Sequence, residues 1–342
     1  DGGVSGVALG TLIEFAPEDT PRAVERPGTA ALERTLASRL LETVYGFRPS
    51  LPGTTDQRVE FSIHPIGVGY RETHTVLWEI SGDESFSIQP ALVWPNRFSR
   101  FIGDKTYGLL IAHLLGLLVP YTIVIGRNVA PFTFGEQTDT NETWLRTCPT
   151  EQQPGRYTST KGWTDPFRLL DIEDPDGKAI VAVLAQDAVS ARHSGATLPF
   201  GSNTGSYVEG TPGQGDRFML GAQEPSRLPD HVVNDVQQLT NQAAEKLGPV
   251  RLEWVHDGRR AWIVQMHLAK HTFIPGVISL GQPRNGWLDF DAHDGLDLLA
   301  DLIARAAVDD KGIRVLGSVG YTSHVGDLLR KASVPGRIIS TT

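Results

Sequence analysis

The chain has 342 residues, of which 40% are hydrophobic and 21% charged, a composition typical of a globular protein with two or three domains. Its formal net charge of −9 argues against a general nucleic-acid or anionic-membrane binder, because both classes favour a basic surface. A single cysteine, Cys148, excludes an intrachain disulfide and favours a reducing, cytoplasmic location. No cationic leader precedes an apolar stretch near the first residue, so we expect no signal peptide.

Residues 1–95 are predicted to form an α+β segment that carries no motif for chemistry. The spacing of apolar residues over 29–43 predicts a helix, and alternation over 58–64 predicts a strand. A second strand is predicted over 73–80. We expect this segment to end near residue 95.

The most apolar stretch, LLIAHLLGLLVPYTIVI at 109–125, has only 17 residues and contains Pro120. A membrane-spanning helix needs about 20 mostly apolar residues. The stretch therefore predicts a buried helix over 109–118, stopped before Pro120, and a strand over 121–125.

Strands and helices are predicted to alternate from here to about residue 272. Residues 127–161 are polar and rich in turn formers, which predicts a long loop system. A strand is predicted over 178–188, glycine-rich turns joining short strands over 201–215, and an amphipathic helix over 229–247. Strands at 251–255 and 260–266 flank Asp257-Gly258, which predicts a hairpin with a type I′ turn.

The last part of the chain, from 273 to 342, is predicted to be a small α/β region. Helices are expected over 294–307 and 325–332, with a short strand over 313–316 between them.

Two cations upstream are candidates for phosphate binding. Lys105 follows Gly103-Asp104 at the start of a helix, where a lysine can reach phosphate oxygens beside free backbone N–H groups. A solvated lysine on a turn is the alternative. Arg146 lies among apolar and small residues, a setting in which arginine has a partner, either a phosphate or a structural ion pair.

Glu253 and Gln265 lie on the two strands of the predicted hairpin and could face each other across it. Oxygen ligands of this kind suit Mg²⁺, which binds few protein groups together with nucleotide phosphates. The pair is therefore a candidate bridge between metal and phosphate. Exposure of both side chains to solvent is the alternative.

The loop Gly-Tyr-Thr-Ser-His at 320–324 leads into a predicted helix and places His324 where an imidazole is exposed. Histidine can attack phosphorus and release it again. Its reference pKa of about 6.5 allows a neutral, nucleophilic ring near neutral pH. The alternative role for His324 is that of a loop residue capping the helix.

Short motifs follow one another between about residues 97 and 342. They are Gly-Asp-Lys at 103–105, Leu-Arg-Thr-Cys at 145–148, Gln-Asp-Ala-Val at 186–189, Ser-Gly-Ala at 194–196, Glu-Gly at 209–210, Arg-Leu-Glu-Trp at 251–254, Val-Gln-Met-His at 264–267 and Gly-Tyr-Thr-Ser-His at 320–324. Arg330 and Pro335 follow His324 by six and eleven residues. In order and spacing the series resembles the pyruvate phosphate dikinase and phosphoenolpyruvate synthase family, and the last motif is the most specific.

The resemblance implies an ATP-grasp nucleotide-binding domain over 96–272 and a phosphohistidine-like α/β region over 273–342. It implies that ATP and Mg²⁺ are bound and that the phosphoryl group passes to a small-molecule or protein acceptor. The implied nucleotide-binding residues are Lys105, Arg146, Gln186 and Glu209. The implied magnesium ligands are Glu253 and Gln265. His324 would carry the phosphoryl group, with Thr322 and Ser323 supporting its loop.

The chain departs from the family pattern at three positions. Asp104 replaces a glycine, Arg251 replaces an acidic residue, and His267 replaces an arginine. The family's large pyruvate-binding barrel does not fit in this chain. Three functions therefore stay open: an ATP-dependent phosphotransferase acting through His324, an ATP-grasp ligase or kinase acting directly on its acceptor, and a non-catalytic nucleotide-binding or interaction module.

Overall fold

The computed structural model describes residues 2–18, 20–51, 57–65, 75–82, 92–150, 157, 159–201 and 205–339. The chain divides into two compact units. The first comprises Asp1–Gly116, Tyr121–Gln152 and Tyr157–Ala188, and the second Leu117–Pro120, Gln153–Arg156 and Val189–Thr342. Both contain helices and sheets, so the fold class is mixed α+β. The domain borders expected near residues 95 and 272 stay predictions.

An antiparallel sheet begins the first unit. Its strands are β1 (Val4–Leu9), β2 (Leu12–Pro17), β3 (Ala30–Glu33), β4 (Gln57–His64) and β5 (Thr75–Gly82). They lie in the order β3-β2-β1-β4-β5. Helix α1 (Arg34–Tyr45) follows β3 without a break and buries Leu40, Leu41 and Val44.

A second antiparallel sheet completes the first unit. Helices α2 (Arg97–Ile102) and α3 (Asp104–Leu114) precede it. Its strands are β6 (Thr122–Gly126), β7 (Phe132–Phe134), β8 (Thr143–Pro149), β9 (Ser159–Lys161) and β10 (Ile180–Asp187), in the order β7-β6-β10-β8-β9. Helix α4 (Pro166–Glu173) covers one face, where Leu170 packs with Leu145 and Val183.

The second unit contains an antiparallel sheet of four strands backed by a long helix. The strands are β11 (His193–Pro199), β12 (Ser206–Pro212), β13 (Val250–His256) and β14 (Ala261–Leu268), in the order β12-β11-β13-β14. A short helix α5 (Asp216–Met219) precedes α6 (Asp230–Leu247). Along β13 buried and half-buried residues alternate, so the face with Leu252 and Trp254 is covered. The other face carries Arg251 and Glu253.

The rest of the second unit is a small α/β region with its own core. Its strands are β15 (Val277–Ser279), β16 (Trp287–Asp291), β17 (Gly312–Leu316) and β18 (Gly336–Ile339). β16, β17 and β18 are parallel neighbours, and β15 is antiparallel to β18. Helices α7 (Leu296–Asp309) and α8 (His324–Ala332) contribute Leu299 and Leu329 to the core.

Three local predictions were wrong in part. The helix expected over 29–43 begins only at Arg34, because β3 occupies its first residues. The loop system expected over 127–161 contains β7, β8 and β9. The hairpin is confirmed, but the type I′ turn is wrong: the loop runs over the four residues Asp257–Arg260 instead of two, and Gly258 alone among them has the positive φ that both central residues of such a turn need.

The helix expected over 109–118 is part of α3, which ends at Leu114, and the strand expected over 121–125 is β6. In the described part of the chain no helix combines the length and the apolar character that crossing a membrane requires. The glycine-rich stretch at 201–215 contains β12, and its residues 202–204 lie outside the described ranges, as do 73 and 74 of the strand expected over 73–80.

Candidate functional site

Asp104 lies at the start of α3, in the turn that follows Gly103. Gly103 has φ of 96°, and a Cβ atom there would lie 2.8 Å from Cβ of Cys148 on β8. The buried Asp104 carboxylate accepts a hydrogen bond of 2.6 Å from Ser99 Oγ, which ties the turn to α2. Lys105 stands half-buried in the first turn of α3. The aspartate therefore fixes the turn on which Lys105 is presented.

Arg146 and Gln186 are brought together on the second sheet of the first unit. Arg146 on β8 donates a hydrogen bond to the side-chain oxygen of Gln186 on β10. Gln186 is buried and lies opposite Thr122 of β6 in the strand register. Arg146 and Cys148 are two residues apart on β8, so their side chains share a face, the one that Gly103 approaches. Three of the nucleotide-binding candidates thus lie in the first unit.

Burial raises the pKa of the Cys148 thiol, and the nearby Lys105 opposes that shift only in part. The thiol is fully buried. Because the thiolate is the nucleophilic form, Cys148 is a packing residue rather than a catalytic one.

Four residues form a row across the sheet of the second unit. Glu209 on β12 pairs with Ala196 on β11, Ala196 pairs with Glu253 on β13, and Glu253 pairs with Gln265 on β14. Directly opposed residues of antiparallel strands project from the same face. Glu253 and Gln265 therefore share the half-buried face, together with Arg251 and its partner in register, His267.

The His267 imidazole, one of the departures from the family pattern, contacts Gln265. Its Nε2 atom lies 2.5 Å from Nε2 of Gln265. With its nitrogen engaged in this way, the amide leaves its carbonyl oxygen as the group that could bind a cation. Among the described residues, no cluster of three or more His, Cys, Asp or Glu side chains is arranged to hold a metal ion. Glu253 and Gln265 fit the smaller demand of a nucleotide-bound Mg²⁺, which keeps several water and phosphate ligands.

Thr322 is hydrogen-bonded to this face by residues of two strands, β12 and β13. Its backbone N–H donates to Oε2 of Glu209 at 2.9 Å, and its hydroxyl donates to the same oxygen at 3.0 Å. Its carbonyl oxygen accepts a hydrogen bond of 2.6 Å from Arg251. Because Glu209 and Arg251 stand on strands either side of β11, the loop before His324 lies over that strand.

Glu209 is 4% exposed. Burial raises the pKa of its carboxyl group, and the two hydrogen bonds from Thr322 partly counteract that shift. Tyr207 also donates to it, at 3.2 Å. The structure therefore shows Glu209 as an anchor of the 320–323 loop, and its role towards a nucleotide stays a prediction.

His324 is half-buried instead of exposed, with 24% of its side chain accessible. It is the first residue of α8, and Ser323 is the N-cap, with its hydroxyl bonded to the Gly320 carbonyl at 2.7 Å. The Nδ1 atom of His324 lies 3.5 Å from the carboxylate of Asp327. This carboxylate also binds Arg251 at 2.8 Å and Arg330 at 2.9 Å.

Burial alone would raise the pKa of Asp327, but Arg251, His324 and Arg330 outweigh burial and hold it far below its usual range. Asp327 is not among the site residues predicted from the sequence. An aspartate three residues after His324, in the first turn of a helix, was the available signal. What the sequence does not indicate is its pairing with Arg251, 76 positions earlier.

Comparisons with known proteins add a distant likeness. No family model matches the chain. No curated protein matches it either. Solved structures with some similarity include D-alanine–D-alanine ligase from Bacillus anthracis complexed with ATP, at 9% identity and a TM-score of 0.33 over 51% of this chain and 58% of that one. The RimK domain protein ATP-grasp from Sphaerobacter thermophilus gives 15% identity and a TM-score of 0.29 over 49% of this chain and 58% of that one.

VanG D-Ala:D-Ser ligase from Enterococcus faecalis is similar at 13% identity, with a TM-score of 0.29 over 49% of this chain and 52% of that one. The chain thus spans between 52% and 58% of the length of these three structures. The similarity to these three structures is distant.

Proposed function

We propose that the chain is an ATP-dependent enzyme of the ATP-grasp type. It transfers a phosphoryl group from ATP directly to its acceptor, as a ligase or kinase does, without forming a phosphohistidine. The nucleotide part of the proposal rests on the series of motifs and on the shared face of Glu253 and Gln265. The choice of direct transfer rests on one observation, the position of His324. Its ring is half-buried and adjoins a carboxylate that two arginines already bind.

In this proposal Glu253 and Gln265 supply two oxygens to nucleotide-bound Mg²⁺. Magnesium would neutralise phosphate charge during transfer. Lys105 and Arg146 would bind phosphate oxygens, with Gln186 orienting the Arg146 guanidinium through its hydrogen bond. The acceptor would be a small molecule or a protein.

Calorimetric titration with MgATP tests the nucleotide site. We expect Glu253→Gln, Lys105→Ala and Arg146→Ala each to weaken binding by about tenfold or more, because each removes a charged partner of the nucleotide or its metal. Glu245→Gln and Lys178→Ala are matched controls, since both residues are exposed and lie outside the proposed site. No binding to the wild-type protein, or equal binding by all five variants, would contradict the proposal.

Transfer through His324 is the second candidate, and it has its own observation. Thr322, two residues before the histidine, is bound over the face that carries Glu253 and Gln265. The two routes differ in the fate of label from ATP. Direct transfer predicts no acid-labile protein label from β- or γ-labelled ATP and unimpaired nucleotide turnover in His324→Asn.

An acid-labile label that disappears in His324→Asn would establish the histidine route instead. Binding of MgATP without turnover in the presence of a broad panel of acceptors would favour the non-catalytic module.

A further inference from the structure

The position of Arg251 on the sheet is the starting point. It is two residues from Glu253 on β13, so both side chains project from the same face, about 7 Å apart along the strand. A guanidinium beside a candidate magnesium ligand is placed to bind phosphate oxygens, which it can contact through two donors at once. A carboxylate at this position could not do so.

Arg251 is already occupied by groups of the C-terminal α/β region. Its terminal nitrogen binds the Asp327 carboxylate at 2.8 Å and the Thr322 carbonyl at 2.6 Å. The two charged side chains are 13% and 16% exposed, so this ion pair is screened little by water. Its Nε atom is buried and has no hydrogen-bond acceptor among the described residues, which leaves the guanidinium with an unused donor.

The Asp327 carboxylate therefore binds the Arg251 guanidinium in the way that an anionic ligand would. A carboxylate and a phosphate group compete for the same guanidinium donors. The carboxylate is planar and the phosphate is tetrahedral, but both present negatively charged oxygens to the two N–H groups of the guanidinium. The hydrogen bonds from Thr322 to Glu209 also hold the 320–323 loop against the sheet. A ligand that took Arg251 from both Asp327 and the Thr322 carbonyl would leave the loop attached by its hydrogen bonds to Glu209 and by the contact of Tyr321 with Tyr207.

We propose that the Arg251–Asp327 pair is an autoinhibitory latch: in the closed state the carboxylate occupies the arginine, and a polyphosphate ligand displaces it and loosens the C-terminal region. This inference rests on the proposed nucleotide site. Arg251 then has two roles, as the attachment point of α8 when the latch is closed and as a phosphate ligand when it is open. Binding of ligand and closure of the latch oppose each other, and by linkage each weakens the other to the same degree.

Two substitutions separate these roles. Asp327→Asn and Arg251→Gln both break the ion pair, so both should raise hydrogen exchange in α8. Only Asp327→Asn leaves the arginine available to the ligand. We therefore expect Asp327→Asn to bind MgATP, and inorganic tripolyphosphate with magnesium, about tenfold more tightly than the wild type, whereas Arg251→Gln shows no gain.

The matched controls keep charge loss and helix position constant. Asp297 is an exposed aspartate in the first turn of α7, as Asp327 is in the first turn of α8, and Arg259 is an exposed arginine at the tip of the hairpin. Asp297→Asn and Arg259→Gln should leave both affinity and exchange unchanged. Circular dichroism establishes that the variants are folded. If Asp327→Asn does not fold, Glu209→Gln provides a second route to a loosened loop and should also raise exchange in α8.

The outcomes distinguish this inference from the proposed function. No binding of MgATP by any variant contradicts the nucleotide site itself. Binding by the wild type with no gain in Asp327→Asn, or with the same gain in Arg251→Gln, overturns the latch and leaves the nucleotide site standing. Unchanged exchange of α8 in both Asp327→Asn and Glu209→Gln likewise overturns the latch.

Discussion

Asp327 shows how one residue can link stability to pH. Its carboxylate is bound by Arg251, Arg330 and His324, and these groups hold its pKa well below the usual range in spite of burial. A depressed carboxyl pKa stabilises the folded state at pH values above the unfolded pKa of about 3.9. That stabilisation is lost as the pH falls through the folded value, because the folded carboxylate must then accept a proton.

We therefore expect the free energy of unfolding of the wild type to fall more steeply below about pH 4 than that of Asp327→Asn, which has no carboxylate to protonate. At pH 7 the variant should be less stable by about 2–4 kcal/mol, since the buried Arg330 and the half-buried Arg251 lose their partner. Urea denaturation from pH 7 to pH 3 measures both effects. Parallel pH profiles for the two proteins would show that Asp327 is not the group responsible.

At the scale of single elements, the turn between α2 and α3 depends on the absence of a side chain at Gly103. Gly103→Ala would combine a positive φ with a contact of 2.8 Å to Cβ of Cys148. We expect a loss of about 2–4 kcal/mol in the free energy of unfolding. Gly116→Ala is the matched control, because φ is also positive there but a Cβ meets no atom within 4 Å.

Gly116→Ala should lower the free energy of unfolding by only about 1–2 kcal/mol, because it carries the backbone strain of a positive φ without a steric contact. Urea denaturation of the two variants separates the backbone contribution from the contribution of the contact with Cys148. Equal losses would mean that the approach to Cys148 contributes nothing to the requirement for glycine.

The hairpin of β13 and β14 was predictable because its sequence satisfies two local rules at once. Polar and apolar residues alternate along β13, and Asp257-Gly258 marks the turn. The pairing of Glu253 with Gln265 followed from those rules and is present in the register. The length of the loop was not predictable, since Asp257 accepts hydrogen bonds from the N–H groups of Arg259 and Arg260 and so stabilises a wider turn.

Strand β8 was missed for a physical reason. Leu145 packs against α4 on one face and Cys148 lies against the turn at Gly103 on the other, so the strand is covered on both faces and has no simple alternation. The start of α1 was missed because its N-cap, Glu33, makes no side-chain capping bond that would mark a boundary. Contacts such as Arg251 with Asp327 join distant positions, and single-sequence patterns do not encode which distant side chains meet.

At the scale of the whole molecule, each unit contains a hydrophobic cluster of its own. Leu145 belongs to a cluster in the first unit, and Leu299 to the cluster of the C-terminal α/β region in the second. Compact units with separate cores can lose structure in separate steps. Both leucines are fully buried, so truncation of either creates a cavity.

We expect scanning calorimetry to resolve more than one unfolding transition. Leu145→Ala should lower the midpoint of one transition and Leu299→Ala that of another, each by destabilising its unit by about 2–5 kcal/mol. Val308→Ala is a control, because this side chain is 87% exposed. A single transition that both leucine variants shift equally would show that the chain unfolds as one cooperative unit.

The segment Leu117–Pro120 has a practical consequence for dissecting the molecule. It leaves the first unit, belongs to the second, and accepts a hydrogen bond from the Ile263 N–H on β14 through the Leu118 carbonyl. A fragment that started at Val189 would lack this segment and would leave the Ile263 N–H on the edge strand β14 without its acceptor, and exposed strand edges are places at which chains aggregate. A well-behaved fragment of the second unit should therefore include residues 117–120 joined to residues 189–342. A fragment made only by dividing the chain between 188 and 189 lacks them.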